Sequence, residues 1–103
     1  MRILDNILSM NEFLFFKKTP PQIDRDISKR VAAIRKRRKI SQKQLSERSG
    51  VSYGSIKRFE TRGEISLLSL TKIAIALGIE NELEELFADV PFLSIEEVMR
   101  EED

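Results

Sequence analysis

Apolar residues recur along this chain at the spacing of helix faces. Ile27, Val31 and Ile34 fall at i, i+4 and i+7, and Leu67, Leu70, Ile73, Ala74 and Leu77 make a second such stripe. No stretch alternates apolar and polar residues for long enough to make a strand, so the pattern predicts an all-α protein. Boundary residues divide the pattern into helices. A first helix opens at Ile23-Asp24, with Asp24 and Asp26 in its first turn, and closes on the cationic run Arg35-Lys36-Arg37-Arg38-Lys39. Both charge placements suit the helix dipole. Ser41 followed by Gln44 is a capping box for a helix from Gln42 to Ser49, stopped by Gly50. Ser52 caps a third helix running to about Glu60, before Gly63. Ser66 caps a fourth, which Gly78 ends, and a short fifth lies near Asn81 to Phe87. Ser94-Ile95-Glu96-Glu97 is another capping box before a final acidic turn or two.

The ends of the chain read differently. Ile3, Leu4, Ile7 and Leu8 have helical spacing, whereas Phe13-Leu14-Phe15-Phe16 reads as extended chain. Pro20-Pro21 breaks regular structure and marks a boundary. The division expected is an N-terminal extension over 1–22, one domain over 23–88 and an acidic extension over 89–103. Residues 1–16 are a dimerisation arm, a segment packed on the domain, or disordered chain; Met10 offers a second start. No segment holds the run of about 18 apolar residues that spans a bilayer. Polar residues interrupt the N-terminus and no small-x-small site follows, so no membrane partner and a cytoplasmic location are expected.

Composition narrows the chemistry. With 103 residues the chain is one domain. It contains neither cysteine nor histidine, which excludes a disulfide scaffold, a zinc finger and a Cys or His nucleophile. No glycine-rich phosphate loop or credible carboxylate pair is present, so no catalytic residue, metal site or cofactor is expected. The net charge is only +1, which by itself argues against a nucleic-acid partner. The charges are nevertheless sorted. Residues 17–63 hold fifteen Lys/Arg against four Asp/Glu, a net +11, whereas residues 64–103 hold two against eleven, a net −9. A basic middle beside an acidic end points to nucleic-acid contact by one part only, the other reading being two solvated sets of helix faces.

The informative stretch is Ser41 to Glu60, SQKQLSERSGVSYGSIKRFE. Two short helices joined by Ser49-Gly50-Val51 must cross steeply. Leu45, Val51, Ile56 and Phe59 supply the apolar side, Ser46 is small enough for close approach, and Gly50 supplies the turn. This spacing resembles the helix-turn-helix of the phage-repressor/Cro family, also called the xenobiotic-response-element regulators. From about Asp26 to Phe87 the chain resembles that family's compact five-helix, lambda-repressor-like DNA-binding domain.

The resemblance implies double-stranded DNA as partner, with the second motif helix in the major groove. Its readers would be Tyr53, Gly54, Ser55, Lys57 and Arg58, close behind the cap Ser52. Arg58 can fork onto guanine O6 and N7. Gly54 is either a point of close approach to DNA or a tolerated surface glycine. Gln42 matches the family's phosphate-contacting glutamine, with Ser41, Lys43 and Gln44 beside it and Arg62 as a further phosphate candidate. The run Arg37-Arg38-Lys39 is either a DNA contact or a solvated helix end. Arg35 and Glu60 occupy the positions of a family ion pair that fixes helix orientation.

Two features depart from the family pattern. Glu60-Thr61-Arg62-Gly63 has one residue more than the usual ending, which puts that loop in doubt, and Gly54 stands where a polar reader is common. The resemblance implies a homodimeric repressor; Leu83, Leu86, Phe87, Val90, Phe92 and Leu93 are interface candidates or else a local cap on the core. The alternative is an antitoxin that binds both operator DNA and a toxin, suggested by the longer loop followed by Glu64-Ile65-Ser66-Leu67 and by the small size with an added C-terminal segment.

Overall fold

The computed structural model describes residues 17–89 together with 96, 99 and 100. Five helices follow one another: α1 (Pro20–Arg37), α2 (Gln42–Ser49), α3 (Tyr53–Arg62), α4 (Leu67–Leu77) and α5 (Glu80–Glu84). Residues 96, 99 and 100 are also helical, and no strand occurs among the described residues. The all-α expectation holds.

The start of α1 corrects the sequence reading. Pro20-Pro21 does not break the chain; it begins the helix. Thr19 is the N-cap and forms a capping box with Gln22. The Thr19 N–H donates to Gln22 Oε1 at 2.8 Å, and the Gln22 N–H donates to Thr19 Oγ1 at 3.4 Å. Proline is well suited to the first turn, where its fixed φ is helical and its missing N–H has no helical partner. Asp24 and Asp26 therefore stand beyond the first turn, and Asp26 instead pairs with Lys18.

The face that α1 buries is also displaced from the expected stripe. Val31 and Ile34 are half-buried against the core, but the most enclosed positions are Ser28, Ala32 and Arg35. These also follow an i, i+4, i+7 line, and they are small or paired because α1 packs directly on α3. The Ser28 hydroxyl returns to the Arg25 carbonyl at 2.8 Å.

The remaining boundaries follow their capping signals. Ser41, Ser52 and Ser66 are N-caps, each accepting from the N–H three residues on. Gly50, Gly63 and Gly78 close α2, α3 and α4 in the left-handed conformation. The third helix runs two residues past the expected end, so the extra residue before Gly63 lengthens α3 and leaves the loop short. The fifth is shorter than expected, ending at Glu84.

Ile40, Leu45, Val51, Ile56, Phe59, Ile73 and Leu77 form the core. Leu67, placed on the buried stripe by its spacing, is instead 69% exposed at the first position of α4. An apolar groove of about 310 Å³ runs between α1, α4 and α5, lined by Ile27, Val31, Ile34, Leu70, Ile79, Leu83 and Leu86, with Arg30 and Glu82 among its polar members. Phe87 points away, 84% exposed. Val90, Phe92 and Leu93, like residues 1–16, lie outside the described residues.

Candidate nucleic-acid interface

The turn between α2 and α3 is tied by side chains. The Ser46 hydroxyl donates to the Val51 carbonyl at 2.6 Å, and the Val51 N–H donates to Ser49 Oγ at 3.1 Å. Ser46 therefore bonds the turn as well as leaving room for it. Val51 is buried, as are Ile56 and Phe59 on the inner side of α3. This fixes which side of α3 faces out.

That outer side carries Tyr53, Gly54, Lys57, Arg58 and Arg62, all exposed, with Ser55 half-buried at its edge. With side chains an α-helix such as α3 is about 10–12 Å across, which a B-DNA major groove about 12 Å wide admits. The Lys57 ammonium sits 5.0 Å from the centroid of the Tyr53 ring, one helical turn back, a cation–π arrangement. Ser52 Oγ accepts from the Ser55 N–H at 3.1 Å and donates to Ser55 Oγ at 2.7 Å, so both hydroxyls are engaged at the helix start. Arg58 forms no ion pair among the described residues. It borders two hollows. One is lined by Lys57, Arg58, Thr61 and Arg62; the other holds Ser55 together with Glu64, Ser66 and Ser69 from the approach to α4. Thr61 was not among the expected site residues. Its hydroxyl donates to the Lys57 carbonyl at 2.7 Å, and it joins this surface because α3 continues past Glu60.

The second cluster lies behind α3 and links three helices. Arg35 Nε donates to Glu60 Oε2 at 2.7 Å and Arg35 Nη2 to Glu60 Oε1 at 2.9 Å, a two-pronged pair. Arg35 Nη1 donates to the Ile40 carbonyl at 2.8 Å, and the Ile40 N–H donates back to the Arg35 carbonyl at 3.2 Å. That closes the connection to α2, where Lys39 takes a positive φ of 57°. Gln42 Nε2 completes the cluster by donating to Glu60 Oε1 at 2.9 Å. Burial pushes the Glu60 carboxyl upward, but the hydrogen bonds from Arg35 and Gln42 outweigh it and hold the group below its ordinary 4.5.

Sequence reasoning anticipated the Arg35–Glu60 pair but not that Gln42 belongs to it. The other expected phosphate contacts are partly occupied as well. The Ser41 N–H donates to Gln44 Oε1 at 2.8 Å, and the Gln44 N–H donates to Ser41 Oγ at 3.0 Å. Each glutamine amide retains an N–H that makes no bond among the described residues.

A family model described as helix-turn-helix matches residues 31–80. The domain is an XRE/Cro-type helix-turn-helix. Its matched span runs from within α1 to the start of α5, so it takes in both motif helices and the Arg35–Glu60 pair. No curated protein and no solved structure matches the chain. The helix-turn-helix domain is that of a DNA-binding transcription regulator. Among its described residues no set of side chains could hold a metal ion, and no helix is long and apolar enough to cross a membrane.

Proposed function

We propose that this helix-turn-helix protein is a sequence-specific repressor that binds an operator as a homodimer, with α3 in the major groove. One observation carries the reading. The exposed side of α3 presents Tyr53, Lys57, Arg58 and Arg62 together, with Ser55 at its edge, on a helix whose orientation is fixed from behind by Arg35 and Glu60. Arg58 reads a base, with Lys57 beside it on the same face, while Arg62 and the Ser41–Gln44 end of α2 hold phosphates. Two copies on half-sites about 34–36 Å apart double the contacts, and Leu83, Leu86 and Phe87 are the described residues offered for pairing.

Selection of bound sites from random duplex DNA tests the reading. Arg58→Ala is expected to relax preference at one base pair by about 1–3 kcal/mol. Gln42→Ala is expected to weaken binding to all sequences alike. It also removes one hydrogen bond to Glu60, worth about 1 kcal/mol of stability, so binding is compared where both proteins are fully folded. Unchanged binding in both variants would remove α3 from the interface.

The acidic end keeps its own face off DNA. Truncation after Pro91, which deletes five carboxylates and one arginine, is expected to raise affinity for non-specific DNA and leave base preference intact. Loss of operator binding instead would make that segment part of the dimer interface. The antitoxin alternative makes a different prediction: co-expression with the product of an adjacent gene yields a stable complex whose partner is inactive.

A further inference from the structure

Gly54 stands at the second position of α3, where nothing in the protein requires a glycine. Its φ is not among the positive values found at Gly50, Gly63 and Gly78, and a Cβ built on it meets no atom within 4 Å. A glycine inside a helix lowers the folding equilibrium about five-fold relative to alanine. The chain carries that cost with no compensating contact in the folded state.

What the missing side chain leaves is open space on the outer face of α3. Side chains on a helix lean toward its N-terminus, over the residues three and four positions back. Lys57 and Arg58 are the residues at those spacings from Gly54. The Lys57 ammonium is drawn to the Tyr53 ring, and Ser55 is held by Ser52. The bare Cα of Gly54 offers only backbone C–H surface. The C5-methyl of thymine is the one apolar group that projects from base edges into the major groove.

Resting on the operator reading above, we propose that Gly54 is a specificity-determining position, where a thymine methyl packs against the bare helix backbone. It reads by shape: an alanine methyl would occupy the same space.

The test uses the full chain and the site it selects from random DNA. Gly54→Ala is expected to raise the Tm and yet to lower affinity for the selected site several-fold, with non-specific affinity unchanged. Replacing thymine by deoxyuridine, one position at a time, is expected to cost the parent roughly four-fold at one position, the worth of one buried methyl group. The same replacement costs Gly54→Ala little. If Gly54→Ala binds the selected site as the parent does, the missing side chain has no role. If it binds more weakly but no uracil substitution matters to the parent, the thymine assignment is overturned. Failure of the parent to enrich any sequence overturns the operator reading and this inference together, whereas failure of the Gly54→Ala or uracil arm alone leaves the operator reading standing.

Discussion

Replacing Arg35 by methionine is expected to destabilise the domain by about 3–5 kcal/mol, the cost of leaving one partner of a buried pair uncompensated. Both side chains are 9% exposed, and Arg35 supplies two of the three hydrogen bonds that reach Glu60. Water cannot replace the guanidinium there without opening the junction of α1, α2 and α3. The variant also loses the bond from Arg35 to the Ile40 carbonyl. Against a total stability of about 5–15 kcal/mol for a domain of this size, such a loss shows plainly in urea unfolding. A change below about 1 kcal/mol would mean that the pair is as weak as an exposed one.

Acid distinguishes this mechanism from simple loss of packing. The folded-state value of Glu60 is depressed below 4.5, so its contribution is complete above the unfolded value and disappears as pH falls through the folded one. In the parent, stability should decline on acidification below about pH 4.5. In Arg35→Met the carboxyl has lost its cation and its burial remains, so protonation relieves it. The gap between the two proteins is therefore expected to narrow on moving from neutral pH to about pH 3. A gap that stays constant would show that packing of the arginine stem, and not its charge, is what the fold needs.

Gly63→Ala is the second large effect. At φ 78° an alanine is strained by about 1–2 kcal/mol. Its Cβ would lie 2.7 Å from the Asp24 carbonyl carbon and 2.8 Å from the Arg25 nitrogen. Those are backbone atoms of α1, and no rotamer change moves them. Forcing the helices apart adds about 1–3 kcal/mol, for a total loss of about 2–5 kcal/mol. Gly50→Ala is the internal control. Its φ is 76° and its Cβ would meet nothing within 4 Å, so it should cost only the conformational strain. Thermal unfolding of the two variants side by side separates the effects, and equal losses would mean that α1 and α3 can part at Gly63 without penalty.

Much of this fold could be read in advance because its helix ends are written in short-range chemistry. A serine cap satisfies an N–H three residues on, and a glycine closes the helix in the left-handed region; neither depends on distant parts of the chain. The errors came where context decides. Thr19-Pro20-Pro21-Gln22 carries a cap, a first-turn proline and a capping-box glutamine, yet a proline pair has the opposite meaning inside a helix. The buried line of α1, Ser28–Ala32–Arg35, is invisible to hydrophobic spacing because it is set by close contact with α3. Leu67 fits the apolar period of α4 but lies at its first turn, where little packs over it. The exposed side of α3 follows from Ile56 and Phe59. Thr61 joins it only because the helix continues to Gly63, and the tie from Gln42 to Glu60 spans residues far apart in sequence.

Everything that holds α3 in place points inward or lies at its ends: Ile56 and Phe59 in the core, Glu60 toward α1, Ser52 and Gly63 at the termini. The side chains at 57, 58 and 62 bear almost none of that load. The chemistry of the exposed face can therefore change on a constant frame: substitutions at 57, 58 and 62 are expected to leave the folding equilibrium nearly where it was.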